Sequence, residues 1–303
     1  MASLFTTCSK DEDTEYSAKE LVTFDLNDEI NADSLESYVI WLENMGTRFA
    51  LADNRRSIAV SLRNRLRKFG YSNAALDSFM ISKTYNGAIY QVWQFNVVAT
   101  LEGSGSSDSI SIVGGHYDNN IKSGDPFLKV PGANDNASGV AAALEIARVM
   151  KKNNYLPDGD IRFIAFACEE LGLLGSYNYA GKASENNEKI RMMLNNDMIA
   201  YQNGTDKSAW VVNIMDYANS LTLRTKAEKL CQKFTVLKFR NDNTYNRQSD
   251  SYPFYAKGFK PLFFFSDVTD PDYHTPDDLA SNCNFEYCRE IVKLNCAILV
   301  DAN

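Results

Sequence analysis

Apolar side chains recur at helical spacing through the early part of the chain. Leu35, Tyr38, Val39, Leu42 and Met45 share one side of a helix starting near Ser34, since residues three and four apart lie on the same face of a 3.6-residue turn. Ile58, Leu62, Leu66 and Phe69 repeat the pattern over Arg55–Phe69, and Gly70 suits the left-handed residue that closes a helix. The spacing then changes. Strand-like runs at Leu76–Ile81, Tyr90–Thr100 and Ser109–Gly114 come one after another, which predicts a meander. Residues 1 to about 30 are polar and predict a loose leader.

After Gly115 helix and strand alternate. Ala137–Met150 is alanine-rich and apolar on one side. Ile161–Ala167 is an unbroken apolar run of the kind found in a strand buried on both faces. Leu171–Ala180 reads as a short helix, Met192–Ile199 and Ala209–Met215 as strands, Tyr217–Phe234 as a helix, Pro261–Phe265 as a strand and Glu286–Val300 as a closing helix. The expected fold is α/β, a three-layer α/β/α arrangement with a mixed, mostly parallel central sheet and helices on both faces. No repeat or linker divides residues 31–303, which read as one domain.

Composition narrows the function. The chain has 303 residues, 45% of them hydrophobic, enough for a sizeable core. A net charge of -8 gives no electrostatic footprint for nucleic acid. It is compatible with cationic groups such as a peptide's free amine. No apolar run reaches the ~18 residues a membrane span needs. The segment Leu4-Phe5-Thr6-Thr7-Cys8, followed by Ser9-Lys10-Asp11-Glu12-Asp13, resembles the end of a bacterial lipoprotein signal and the acidic export tag of Bacteroidetes lipoproteins. That resemblance implies a lipid on Cys8 as the one membrane attachment, with the chain in the periplasm or on the outer-membrane surface. The basic start and most of the apolar stretch of such a signal do not precede it. The remaining cysteines, Cys168, Cys231, Cys283, Cys288 and Cys296, contain no Cys-x-x-Cys pair and are expected as buried thiols, with a Cys283–Cys288 bridge the alternative in an oxidising compartment. Nothing in the sequence sets the oligomeric state.

Both histidines of the chain stand in unusual surroundings. His116, in Gly114-Gly115-His116-Tyr117-Asp118, follows an apolar strand and sits beyond its carboxyl end, the edge where open α/β sheets bind ligands. Asp118 is placed to hold the other nitrogen of its ring. Asp135 lies at the mouth of the alanine-rich helix among small residues, a position that also suits a helix cap. Glu169 and Glu170 end a deeply apolar strand. Two adjacent carboxylates there are costly unless one meets a cation or keeps a proton, although capping the next helix is the simpler role. Asp197 closes another strand, and His274 lies in a turn fixed by Pro276. Together His116, Asp135, Glu170, Asp197 and His274 offer two nitrogens and three carboxylates. With Asp135 shared, each of two ions receives one His, one terminal carboxylate and the bridge, leaving an open position for water. Glu169 remains free as a proton acceptor. Such N/O donors favour zinc.

Six segments in register resemble the co-catalytic, two-zinc aminopeptidase family of zinc exopeptidases, bacterial leucyl-type members included. They are Gly115–Asp118, Gly132–Gly139, Glu169–Ser176, Asn196–Ile199, Ser249-Asp250 before Pro253-Phe254, and Tyr273–Asp278, spread over roughly residues 34 to 302. The resemblance implies His116 and Asp197 on one zinc, Glu170 and His274 on the other, Asp135 bridging with a cis peptide bond after it, and Glu169 as general base. It implies peptides with a free amino terminus as substrates and a water activated between the ions. One departure concerns the oxyanion: many relatives carry His or Tyr after the Ser-Asp pair, where this chain has Ser251. Tyr245 and Tyr252 both remain candidates for steadying it. Three other readings share this core, one of them a catalytically inactive binding domain, which would usually have lost ligands or the base that are all kept here. A glutaminyl cyclase is a transferase using one zinc, and a carboxypeptidase or dipeptidase needs a basic clamp for the substrate carboxylate, which Arg240 or Arg247 would provide.

Overall fold

The computed structural model describes residues 16–303. Cys8 and the lipoprotein-like segment lie outside the described residues. In chain order the elements are helices α1 (Ala18–Asp28), α2 (Ala32–Glu43) and α3 (Arg55–Lys68), strands β1 (Ala75–Tyr85), β2 (Ala88–Leu101) and β3 (Ile110–His116), helix α4 (Ser138–Lys152), strand β4 (Asp160–Phe166), helix α5 (Leu174–Glu185), strands β5 (Ile190–Asn196) and β6 (Val211–Met215), helix α6 (Leu221–Phe234), strand β7 (Lys238–Arg240), helix α7 (Ser251–Ala256), strand β8 (Pro261–Ser266) and helix α8 (Phe285–Ala302).

The strands form one eight-stranded sheet in the order β1-β2-β4-β3-β5-β8-β6-β7. β4, β3, β5 and β8 run parallel to one another, while β2 joins β4, and β6 joins β8, antiparallel. The expected mixed sheet is therefore present, but the meander is not. β4 comes from beyond α4 and inserts between β2 and β3, because a central parallel strand finds two hydrogen-bonding neighbours where the end of the hairpin offers one.

Alternation along the central strands feeds two cores. Phe163, Ala165 and Val113 face the larger one, with Leu62 and Leu66 of α3, Val140 and Leu144 of α4 and Ile291 of α8. Ile164, Phe166 and Ile112 face the smaller one, with Tyr179 and Ala183 of α5 and Phe254 of α7. Helices thus cover both faces, and the unbroken apolar run in β4 follows from that. All five described cysteines are free thiols.

Other elements differ from the pattern-based reading at their ends. The leader is helical over Ala18–Asp28 because Ser17 and Glu20 close a capping box, each side chain meeting the other residue's backbone N–H. Phe24 then packs on Phe234 of α6, at 4.9 Å between ring centres. α5 begins at Leu174 rather than Leu171, since residues 168 to 173 turn sharply, with Cys168, Gly172 and Leu173 at positive φ. Asn196 ends β5, and α6 starts four residues after Tyr217.

One packing feature sets the site. A Cβ on Gly139 of α4 would lie 2.1 Å from the backbone oxygen of Asn196, so β5 and the helix meet without a side chain between them. Gly139→Ala is expected to lower stability by about 1–3 kcal/mol through overpacking. Denaturant midpoints of the two proteins check this, and an unchanged midpoint counts against the close approach.

Candidate metal centre

The central parallel strands all point their carboxyl ends the same way, and every candidate ligand projects from that edge. His116 is the last residue of β3, Glu169 and Glu170 follow β4, Asp197 follows β5, and His274 lies in the loop after β8. The chain leaves β3 for β4 on one side and later places β5 on the other. Loops diverge at such a reversal, which opens a crevice.

The structure brings these five side chains together with Asp135. Asp135 does not cap α4, whose cap residue is Ala137 with no side-chain bond. Its carboxylate instead faces both histidines: Oδ1 lies 3.3 Å from His116 Nε2 and Oδ2 lies 3.0 Å from His274 Nε2. The peptide bond between Asp135 and Asn136 is cis. His116 Nε2 is 3.5 Å from Asp197 Oδ1 and 3.9 Å from Glu169 Oε2. His274 Nε2 is 2.9 Å from Glu170 Oε1. Two donor groups result, one of His116, Glu169 and Asp197 and one of Asp135, Glu170 and His274. Donors at the corners of a tetrahedral zinc site stand about 3.3 Å apart, given bonds near 2.0 Å. The measured separations fit that scale, so the residues present suit such an ion. By distance alone Glu169 is available to the first group either as a ligand or as a neighbour.

Supporting bonds orient the set. Nδ1 of His116 bonds the backbone carbonyl of Asp118 at 3.0 Å, which leaves Nε2 facing the carboxylates. The Asp118 carboxylate sits farther from the ring, at 3.6 Å. It accepts instead from the backbone N–H groups of Glu169 and Glu170, at 3.0 and 3.2 Å. Asp118 thus stands at the expected ring nitrogen, where its backbone makes the closer contact, and its side chain also aims the Glu169–Glu170 turn. Two residues given no role from sequence also act here. Ser249 donates to Asp197 Oδ2 at 2.5 Å, and Asp278 accepts from the backbone N–H groups of Asn134 and Asp135 at 2.7 and 2.9 Å. Their only sequence signal was a place inside the quoted segments.

Burial and crowding distort the titration of the group. Glu169 is pushed well above the usual carboxylate range by burial, although His116 pulls it back, with Asp197 and Glu170 adding repulsion. Burial and then the charge of Asp135 push Glu170 up to about 7. Burial alone would lower His274, but its bonds to Asp135 and Glu170 outweigh that and raise it to about 9. Four carboxylates against two imidazoles leave surplus negative charge in a buried place, which protons or cations must balance.

A cavity of about 370 Å³ opens over the centre, within the range of small-molecule sites. Met198, Phe263 and Phe265 give it apolar surface, and Asp242, Asp267 and Asp270 add negative charge to the wall. Tyr245 lines it, whereas Tyr252 is not among the lining residues and packs on Tyr177 and Tyr255. Tyr273, not singled out from sequence, lines it too and stacks on His274 at 3.9 Å. Arg240 stands on the wall paired with Asp267 and Asp242, so both acids already claim its charge. Arg247 lies over the Tyr252 ring instead.

The sequence matches the model of peptidase family M28 over residues 96–299. Among curated proteins it is 32% identical over 225 residues to a probable zinc metalloprotease of Pyrenophora tritici-repentis, covering 70% of this chain and 51% of that protein. It is 35% identical over 202 residues to aminopeptidase YwaD of Bacillus subtilis, covering 64% of this chain and 41% of that one. The chain thus spans about half the length of the curated relatives it matches. The fold is shared with the crystal structure of the LapA aminopeptidase of Legionella pneumophila, at a TM-score of 0.79 and 20% identity over 95% of this chain and 76% of that one.

Proposed function

The chain belongs to peptidase family M28, and from that premise we propose that it is an aminopeptidase holding two zinc ions, with Glu169 as general base. The observation that carries the reading is Asp135, whose two oxygens each face a different histidine. One carboxylate set between two imidazoles suits a bridge between two ions, with His116 and Asp197 completing one set and Glu170 and His274 the other. That assignment leaves Glu169 unspent as a ligand, and its raised pKa suits a group that accepts a proton and passes it on. Bound zinc would supply a water made acidic enough to lose its proton near neutrality and an electrophile for the carbonyl.

The chain's own residues account for the rest. Glu169 takes the water's proton and delivers it to the departing amine. Asp118 holds the Glu169 backbone so that the carboxylate stays at the cavity floor. Tyr245, on the cavity wall, would steady the oxyanion, and Tyr252 is not among the residues that line the cavity. Acidic groups on the wall favour a protonated or free amine over a blocked one. A single-zinc glutaminyl cyclase would leave one of the two donor groups without a purpose. A carboxypeptidase would need a free guanidinium, and Arg240 is already held by two acids.

Metal analysis with a panel of aminoacyl-anilides tests the proposal. Two zinc ions per chain, cleavage of free-amine substrates and loss of turnover after chelation, restored by zinc, are expected. One ion per chain with cyclisation of glutaminyl peptides, or cleavage confined to amino-blocked substrates, would overturn it.

A further inference from the structure

Arg48 lies in the connection between α2 and α3, fully buried at 1% exposure. A buried guanidinium is costly unless its donors and charge are met. Among the described residues no carboxylate oxygen comes within 4.0 Å of it. Its donors go instead to three backbone carbonyls: Nε to Tyr117 at 2.7 Å, Nη1 to Pro131 and Nη2 to Gly132, both at 2.6 Å. Tyr117 directly follows His116, and Gly132 opens the turn that carries Asp135. Asn119 adds a second tie, accepting from the Arg48 N–H at 3.0 Å and donating to Val130 at 2.6 Å. Resting on the two-zinc reading above, we propose that Arg48 is a positioning residue that fixes the spacing between the His116 and Asp135 turns before any ion binds, and so sets the affinity for zinc.

The chemistry favours position over charge. A planar guanidinium presents its N–H groups in a rigid fork, which three converging carbonyls can share. A lysine keeps the charge but gathers its donors on one flexible nitrogen. Burial lowers the Arg48 pKa to about 10, against the pull of Asp278, Asp118 and Asp135, so it stays charged at neutral pH. That charge repels an incoming cation. If charge governed, its retention in lysine would preserve the wild-type affinity; if geometry governs, lysine fails.

The experiment compares Arg48→Lys with the wild-type chain in zinc competition against a chelator, with thermal melting of the same samples. The expected result is a folded variant that binds zinc about 10–100-fold more weakly, the scale seen when groups orienting metal ligands are removed. A folded variant with wild-type zinc affinity overturns the proposal. Hydrogen exchange on the wild-type protein decides the matter even if the variant does not fold. The Arg48 Nε–H, bonded to the Tyr117 carbonyl, and its backbone N–H, bonded to Asn119, are expected to be equally protected with and without zinc. Protection that appears only with zinc overturns the proposal, because the ion would then be holding the turn. If the wild-type chain binds no zinc, the functional reading fails, while exchange in the metal-free protein still reads the turn.

Discussion

Glu169→Gln is expected to keep its zinc and to turn over about 10²–10⁴-fold more slowly, the usual contribution of a general base. Glutamine keeps the size and one oxygen of the side chain but accepts no proton. The residue sits at the margin of its donor group, 3.9 Å from His116 Nε2, whereas Asp135 and Asp197 approach that atom to 3.3 and 3.5 Å. Loss of the carboxylate therefore removes chemistry and leaves the ligands in place. Turnover of a leucyl-anilide and metal analysis on one preparation separate the outcomes. Normal turnover sinks the assignment. Loss of an ion along with activity makes Glu169 a ligand instead.

The second large effect concerns Asp135. Asp135→Asn offers one oxygen where two are needed, and its amide nitrogen would face one of the histidines as a donor. Zinc content is expected to fall from two ions to one or none, and kcat/KM by about 10³-fold or more, since an ion's stabilisation of developing charge amounts to several kcal/mol. A variant retaining both ions and ordinary turnover would show that the two histidine-centred groups need no shared carboxylate. The contrast between the variants is itself diagnostic: the first separates turnover from metal content, and the second couples them.

Much of this was legible in the sequence because both kinds of signal were local. The unbroken run Ile161–Ala167 named a strand covered on both faces, and glycines beside His116 and Asp135 marked places of close backbone approach. Pairing order was not legible. The pattern of β4 says that it is buried but not that it separates β2 from β3, because a strand's own residues do not encode its neighbours. The α1 helix stands where the sequence predicts a loose leader, although Ser17-Ala18-Lys19-Glu20 carries the capping-box spacing. Asp118 pointed two residues back to His116, yet its carboxylate reaches Glu169 and Glu170 some fifty positions on. Arg48 gave no signal, because arginine between two helices ordinarily faces solvent.

The loop after β8 has a consequence for the cell that makes this chain. His274 reaches the centre only once β8 has paired with β5, whose partners are separated by nearly seventy positions. A polypeptide still on the ribosome, emerging at about 5–20 residues per second, lacks that histidine until β8 and the loop after it are out. Until then one of the two donor groups has no imidazole. Completion of the donor set is therefore tied to the pairing of β8 with β5, across a long stretch of intervening chain.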